Sequence, residues 1–250
     1  MRIIISPAKK MNVDTDSLPC RGLPRFLDRA EILLERLREL DYEELKALWK
    51  CNDKLARLNA DRVADMDLYR QLTPAILSYE GIQYRYMAPG VLSDTELDYL
   101  QEHLRILSGF YGVLRHFDGV TPYRLEMQAK LEVCGAKNLY SYWNSLIADS
   151  IFRETDLVVN LASAEYGVCV SRYCPPEARM IACIFGEKAG GRILEKGTLC
   201  KMARGEMVRF LAEADSDNPE AMKGFDRLGY RFAPEESGVD TWVFLREAVK

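Results

Sequence analysis

The residues best suited to binding an anion lie in one stretch, residues 103–127. Two glycines stand a short step apart in it, Gly109 and Gly112, and three arginines accompany them, Arg105, Arg115 and Arg124. A glycine turn exposes backbone N–H groups that can hold a phosphate or a carboxylate, and arginines supply the charge. The same glycines also suit an ordinary helix end followed by a loop. The arginines favour the anion site over this alternative.

A helix should lead into this turn. Ser93 and Glu96 form a capping box of the S-x-x-E type, which predicts a helix that starts near residue 94. Its buried face would carry Leu97, Leu100, Leu104 and Leu107. Gly109 stands where such a helix would end, so the sequence predicts a helix, a tight turn and a second short element.

Two apolar runs deliver polar side chains at their carboxyl ends. Residues 2–6 are typical of a buried strand that ends at Ser6, with Lys9 just beyond it. Residues 156–162 are typical of an interior parallel strand, and the polar residues at its end are Asn160, Ser163, Glu165 and Tyr166. Ligands of open α/β sheets bind at such ends. For Ser6 and Lys9 alone, a solvated strand end is the simpler interpretation.

Other candidate residues come from three further segments. Arg124 and Glu126 lie two residues apart in a predicted strand, residues 123–134, so they should share a face and either pair or line a pocket. A predicted helix, residues 198–214, carries Lys201, Arg204 and Arg209. An exposed basic face is the commonest role of such residues. Asp53 and Lys54 are further cleft candidates, but a helix N-cap and a surface lysine are the simpler interpretation of these two residues.

Composition narrows the class of protein. The chain has 250 residues, of which 48% are hydrophobic and 29% charged, as in soluble globular proteins. Its net charge of −4 argues against coating nucleic acid through bulk charge, so any polyanion site must be local. We expect no membrane span and no secretory signal. Seven scattered cysteines and two histidines indicate reduced thiols in the cytoplasm, with no metal site and no cofactor.

The pattern of elements predicts a single domain over residues 1–250, because no repeat or linker interrupts it. Its class is mixed α/β (α+β), with a central sheet covered by helices. The other predicted elements are helices within residues 23–81 and over 138–152, an extended segment over 82–89, a hairpin at Gly190 and Gly191, and a late strand over 241–246. The oligomeric state is not indicated.

Seven motifs, in order along the chain, resemble the YaaA family of peroxide-stress proteins. They are IISPAK (4–9), DKLA (53–56), HLRILSGFYGVLR (103–115), PYRLEM (122–127), NLAS-x-EY (160–166), ARG-x-M-x-R (203–209) and GF-x-x-x-GY-x-F (224–232). Together they span nearly the whole chain, which makes the resemblance specific.

The resemblance implies a cytoplasmic bacterial protein that helps cells survive hydrogen peroxide and limits free intracellular iron. It also implies DNA binding through a positively charged cleft and a helix-hairpin-helix-like element, and residues 108–112 are the expected position of that hairpin. Such a hairpin holds phosphates with backbone N–H groups and reads no bases. Binding to double-stranded or branched DNA should therefore be insensitive to sequence and steeply salt-dependent.

Two functions are compatible with these residues. The first is DNA binding, with the glycine-turn amides and the cations on phosphates, namely Lys9, Arg105, Arg115, Arg124, Lys201, Arg204 and Arg209. The second is an enzyme for a small anionic or nucleotide substrate, because the polar variety at the strand ends and at Glu126 exceeds what phosphate binding needs. No nucleophile and base can be paired. Direct iron binding is not expected, since no dense ligand cluster is present.

Overall fold

Five parallel strands form the middle of an eight-stranded sheet. The computed structural model describes residues 1–247. In spatial order the sheet consists of β11 (Tyr230–Phe232), β12 (Thr241–Arg246), β9 (Arg179–Ala189), β8 (Leu157–Leu161), β1 (Arg2–Ile5), β5 (Leu104–Ser108) and β6 (Gly112–Leu114), with β10 (Arg192–Leu194) beside β9. The strands β5, β1, β8, β9 and β12 are parallel, whereas β6, β10 and β11 run antiparallel to their neighbours. The predicted mixed α/β class with a central sheet is confirmed.

The two central strands are those with continuous apolar sequence. In β1, Ile3, Ile4 and Ile5 are completely buried, and β8 buries Val158 and Val159 in the same way. Interior parallel strands are covered on both faces, so they need apolar residues at successive positions. Both strands were predicted from the sequence and are confirmed, as are β12 and the hairpin of β9 and β10 around the two glycines.

Ten α-helices are found in the described part of the chain: α1 (Leu27–Arg38), α2 (Tyr42–Trp49), α3 (Asp53–Asp65), α4 (Ala75–Ser78), α5 (Ile82–Met87), α6 (Asp94–His103), α7 (Leu139–Trp143), α8 (Leu146–Phe152), α9 (Ala164–Ser171) and α10 (Gly197–Glu213). Short 3-10 helices cover Pro89–Val91, Pro219–Gly224, Arg227–Gly229 and Pro234–Glu236. Two-stranded ladders join β2 (Lys10–Met11) to β4 (Tyr79–Glu80) and β3 (Thr73–Pro74) to β7 (Gly119–Val120). Helix α6 packs on β1 and β5, α9 on β1, and α10 on β9. In the part that the structure describes, no helix is both long and apolar enough to cross a bilayer.

The helix predicted before the glycine turn is shorter than expected. The capping box is present: the Glu96 N–H donates to Ser93 Oγ, and the Ser93 N–H donates to Glu96 Oε2. However, α6 ends at His103, and the leucines at 104 and 107 belong to strand β5. The reason is tertiary, because residues 104–106 pair in parallel with Ile3, Ile4 and Ile5 in the middle of the sheet.

Three other local predictions are wrong in part. Residues 82–89 were expected to be extended, but Ile82–Met87 forms α5. Residues 123–134, the predicted strand, contain no regular strand. The helix predicted over residues 138–152 is divided into α7 and α8 by Asn144, whose positive φ of 45° interrupts the helix.

Two glycines permit close contacts that shape the site described below. A Cβ on Gly205 of α10 would lie 2.2 Å from the carbonyl oxygen of Gln83, so α10 approaches α5 at backbone distance. A Cβ on Gly109 would lie 2.5 Å from the carbonyl oxygen of Leu125. In both places only glycine leaves room for the neighbouring backbone.

Candidate functional site

The order of the parallel strands identifies one crevice in the sheet. Counted along the chain, β1, β5, β8, β9 and β12 are the first to fifth parallel strands, and their spatial order is second, first, third, fourth, fifth. The direction in which the chain adds strands therefore reverses at β1. In doubly wound α/β sheets of this order, ligands bind outside the carboxyl ends of the first and third strands. Here these strands are β1 and β8.

Two serines join the ends of these strands. Ser6 follows β1 and Ser163 follows β8, and the N–H of Ser163 donates to Ser6 Oγ at 2.8 Å. Ser6 Oγ in turn lies 3.1 Å from Ser163 Oγ. The hydroxyl of Tyr84 in α5 donates to the Ser6 carbonyl at 3.0 Å. These bonds fix the base of the crevice, because both strand ends and one helix are tied to Ser6.

The crevice encloses a cavity of about 430 Å³, a size that suits a small molecule or one nucleotide unit. It brings together nine of the predicted site residues: Ser6, Lys9, Arg124, Glu126, Ser163, Glu165, Tyr166, Lys201 and Arg204. These residues come from segments that are far apart in the sequence, yet all of them line the same cavity. The expectation that Arg124 and Glu126 line a pocket holds, although their segment is not a strand.

Cations outnumber carboxylates around this cavity. Five cationic side chains line it, Lys9, Lys10, Arg124, Lys201 and Arg204, against three carboxylates, Glu80, Glu126 and Glu165. The two lysines after β1 are paired, since Lys9 Nζ lies 2.9 Å from Glu126 Oε2 and Lys10 Nζ lies 2.6 Å from Glu80 Oε2. The excess positive charge therefore rests on the two arginines and on Lys201.

The two arginines of the crevice are poorly satisfied by the protein. Arg124 Nη2 lies 3.8 Å from Glu126 Oε1, and Arg204 Nη2 lies 3.7 Å from Glu195 Oε1, so neither contact is a hydrogen bond. The buried Nε of each arginine has no partner among residues 1–247. Buried polar groups are normally hydrogen-bonded. Arg124 Nη2 makes one long hydrogen bond, to the Trp49 carbonyl at 3.5 Å, so most donors of the two guanidinium groups are free to bind an anion.

Glu165 is the carboxyl group of the crevice whose ionisation is disfavoured. Burial raises the pKa of Glu165 above its usual value, and the nearby charge of Glu126 adds to this effect. The Gln128 N–H donates to Glu165 Oε1 at 3.2 Å and opposes the rise in pKa without cancelling it. Carboxyl groups held in different environments can divide acid and base roles between them.

A buried chain of hydroxyl groups lies behind the crevice. The hydroxyl of Tyr123 lies 2.8 Å from the hydroxyl of Tyr79 and 2.6 Å from Ser108 Oγ. Burial raises the pKa of Tyr123 well above its usual value, so the tyrosine stays protonated. Ser108 Oγ also accepts from the N–H groups of Phe110 and Tyr111, at 3.1 and 2.8 Å.

These bonds contradict the predicted role of the glycine turn. Residues 108–112 connect β5 to β6 as a β-hairpin, so a helix-hairpin-helix-like element is not formed there. Ser108, Gly109 and Gly112 are buried, and two turn amides are already bonded to Ser108. Gly109 instead permits contact with the Leu125 backbone, and Gly112 adopts a φ of +73° against the ring of Trp143. The glycine turn therefore serves to pack against the backbone segment that forms one wall of the crevice.

The structure does not bring all the candidates for the positively charged cleft together, because five of the predicted site residues lie elsewhere. Arg105 and Arg115 line a second cavity near the amino ends of the strands. Arg209 donates from Nε to Glu213 Oε1 at 2.8 Å. Asp53 lies 2.5 Å from Lys46 Nζ on the surface, as the simpler interpretation had it, although the cap of α3 is Asn52. Lys54 is exposed and lines neither of these two cavities.

Asn160 supports the crevice without lining it. Its Oδ1 accepts from the N–H of Ala162 at 2.9 Å, and a Cβ on Gly167 would lie only 2.8 Å from its Nδ2. It therefore shapes the turn from β8 into α9, which delivers Ser163 and Glu165.

Sequence reasoning missed four residues of the crevice: Lys10, Glu80, Gln83 and Tyr84. Lys10 could have been found, because it adjoins Lys9 after the first strand. Gln83 and Tyr84 belong to α5, which the mistaken extended interpretation of residues 82–89 concealed, and Glu80 belongs to β4, within a segment predicted to be helical. Gln83 donates from Nε2 to the Leu161 carbonyl at 3.4 Å, a contact between residues 78 positions apart.

Comparisons with known proteins agree with the motifs. The sequence profile of the family described as "Peroxide stress protein YaaA" matches residues 1–236. A protein of Agathobacter rectalis, named only as a UPF0246 protein, is 53% identical over 247 residues, which cover 99% of each chain. A UPF0246 protein of Lachnoclostridium phytofermentans is 52% identical over 98% of this chain and 96% of its own. On the strength of this full-length match, the chain belongs to the peroxide stress protein YaaA family.

Proposed function

We propose that this protein serves the peroxide stress response in the cytoplasm by binding DNA through the crevice at the ends of β1 and β8. In this proposal the crevice holds backbone phosphate, so binding is independent of base sequence. The bound protein limits oxidative damage to DNA and helps to limit free intracellular iron. Family membership supports the stress role, and the chemistry of the crevice supports the ligand.

The observation that carries the proposal is a pair of arginines that lack a carboxylate partner at hydrogen-bonding distance. Arg124 and Arg204 stand on different segments, yet both line the crevice, and neither is within hydrogen-bonding distance of a carboxylate. A phosphate would supply the missing acceptors, because guanidinium groups bind phosphate oxygens through paired N–H bonds. Exposed Lys201 adds a third positive charge beside them.

Fluorescence anisotropy with labelled random-sequence duplexes tests this proposal. Titrations across a salt series should show affinity that falls steeply with salt and changes little with sequence. The double variant R124Q/R204Q should bind at least about tenfold more weakly, and its salt slope should be smaller by about two. The matched control is R209Q, because Arg209 is bonded to Glu213.

Two results would overturn the DNA proposal. One is the absence of duplex binding at low salt in wild-type protein. The other is equal affinity of R124Q/R204Q and R209Q for DNA, which would move the contact away from the crevice.

The iron part of the proposal has its own measurement. Cells that lack the protein should hold more chelatable iron under peroxide than complemented cells. Complementation with R124Q/R204Q should restore iron levels only in part if DNA binding is the route. Full restoration of iron levels by this variant would show that the effect on iron does not depend on the crevice.

A second candidate function is an enzyme for a small anionic or nucleotide substrate. It is favoured by the enclosed cavity and by Glu165, whose raised pKa distinguishes it from a plain phosphate-binding residue. Arginines would hold the anionic group, and Glu165 would exchange a proton with the substrate. Ser6 and Ser163 bond to one another, so neither stands beside an evident base.

Conservative variants separate the two candidates. If the protein is an enzyme, E126Q and E165Q should keep DNA affinity but lose protection of cells against peroxide. If it acts by binding alone, both variants should protect as well as wild type, because removing negative charge from the crevice does not weaken a phosphate contact.

A further inference from the structure

A second cavity lies at the opposite end of the strands. It encloses about 320 Å³ where β5 begins and where the chain approaches β8. Four arginines line it, Arg21, Arg25, Arg105 and Arg115, against two carboxylates, Asp118 and Glu154. This density of guanidinium groups has no role in the proposed function of the crevice.

The inner part of this cavity is a closed ion network. Arg105, whose side chain is only 4% exposed, bonds to Glu154 Oε2 through both Nε and Nη2. Arg2 donates from Nε to the same oxygen at 3.0 Å. Arg105 Nη1 donates to the Leu104 carbonyl at 2.8 Å. One oxygen of Glu154 is therefore fully used, and Arg105 is satisfied.

The outer part of the cavity is different. Arg25 Nη1 lies 3.7 Å and Arg115 Nη2 lies 3.8 Å from the other oxygen, Glu154 Oε1, so both exceed hydrogen-bonding distance. Within residues 1–247 neither guanidinium group forms a hydrogen bond. Because both approach the same oxygen, the two nitrogens can be no farther apart than the sum of these distances.

The remaining charges nearby do not neutralise this pair. Arg21 lies 2.6 Å from Asp98 and stacks over the ring of Phe117, so Asp98 is already paired. The other carboxylate of the cavity is Asp118, whose Oδ2 accepts from the backbone N–H of Arg115 at 2.8 Å. Burial raises the pKa of Asp118 to about 6, so at pH 7 this carboxylate is still mostly ionised, and its charge is engaged by this N–H and not by the guanidinium groups.

We propose that Arg25 and Arg115 bind a phosphate group between them at the mouth of this cavity, as a site separate from the crevice. The planar forks of two half-exposed arginines can each donate two N–H bonds to phosphate oxygens. Glu154 and Arg105 hold the site from within, so the ligand meets arginines that are already positioned. The ligand class is a phosphorylated molecule, and a competition experiment decides whether its phosphate belongs to a small metabolite or to a nucleic acid backbone.

Isothermal titration with inorganic phosphate tests the site. The crevice variant R124Q/R204Q is the background, because it leaves the second cavity intact. This variant should still bind phosphate, and adding R25Q/R115Q should weaken that binding at least about tenfold. Adding R209Q instead should leave it unchanged.

The proposal is overturned if R124Q/R204Q binds no phosphate, or if adding R25Q/R115Q leaves its affinity unchanged. If the combined variant does not fold, R115Q alone replaces R25Q/R115Q, since Arg115 is 53% exposed and makes only the long contact with Glu154. R115Q should then weaken binding at least about threefold. Failure of the DNA proposal is detected separately, by anisotropy of R124Q/R204Q.

Competition distinguishes the sources of the phosphate. A short duplex that displaces phosphate from the R124Q/R204Q protein would assign the site to a nucleic acid backbone. Phosphate that stays bound in the presence of saturating duplex would assign it to a small phosphorylated molecule.

Discussion

The two ends of the parallel strands use the same residue types in opposite ways. At the amino ends, Arg105 is buried and doubly bonded to Glu154. At the carboxyl ends, Arg124 and Arg204 are nearly as buried, yet they stay 3.8 and 3.7 Å from the nearest carboxylates. A paired arginine at a strand end holds the chain together, whereas an unpaired one retains its binding capacity. The difference lies in partner distance, which composition does not reveal.

Removing Glu154 should have the largest effect. E154Q leaves Arg2 and Arg105 beside an uncharged amide, so we expect the free energy of unfolding at pH 7 to fall by about 3 kcal/mol, measured by urea denaturation. The crevice counterpart, E126Q, should lose less than about 1 kcal/mol, because its partner Lys9 is 64% exposed. Equal losses of unfolding free energy in E154Q and E126Q would show that the two ends of the strands do not differ in this respect.

The same comparison extends to acid pH. Burial opposes ionisation of Glu154, but Arg105 and Arg2 together outweigh burial and lower its pKa in the folded state. A lowered pKa stabilises the protein above the unfolded value, near pH 4.3, and this contribution is lost as pH falls through the folded pKa. Wild type should therefore lose stability below about pH 4 more steeply than E154Q.

Asp118 should show the opposite sign. Burial raises its pKa to about 6, so its contribution to stability is complete below the unfolded value, near pH 3.9, and is lost as pH rises through about 6. Relative to wild type, D118N should gain about 2 kcal/mol between pH 4 and pH 7, as followed by urea denaturation at several pH values. A constant difference would show that Asp118 titrates normally.

Gly205 should matter to the crevice and not to the arginine-rich cavity. A Cβ there meets the Gln83 carbonyl at 2.2 Å and forces α10 away from α5. The clash outweighs the gain in helix propensity, so G205A should destabilise the protein by about 2 kcal/mol. It should also weaken DNA binding. Phosphate binding by Arg25 and Arg115 should persist in the folded protein, and its loss would show that the two sites are coupled.

The smallest effect should come from Arg209. It pairs with Glu213 one helical turn away, and this pair is partly exposed. R209Q should change the free energy of unfolding by less than about 0.5 kcal/mol and leave DNA affinity unchanged. A substantial loss of DNA binding would extend the contact surface along α10 and out of the crevice.

The sequence predicted those parts of the fold that depend on local pattern. Continuous apolar runs predicted β1 and β8, and their polar ends predicted much of the crevice. The helix predicted through Leu107 failed because a short apolar run fits a helix and a buried strand equally well. Pairing with β1, about a hundred residues away, decides between them.

The distribution of arginines between the two ends could not be predicted. Arg105 and Arg124 both follow the same helix, but Arg105 meets Glu154, which is 49 residues away, and Arg124 meets the crevice. Local spacing carries no information on such partners. From the sequence, both arginines were expected in one positively charged cleft because both are cations near glycines.

The close approach at Gly109 has one further consequence. The segment that carries Arg124 and Glu126 is irregular and belongs to no sheet, yet it is pressed against the tip of a hairpin that does. The loop therefore takes its shape from its packing against the hairpin. Packing against the hairpin thus does for this loop what backbone pairing does for a strand, and it lets the neighbouring residues Arg124, Leu125 and Glu126 all line the same cavity.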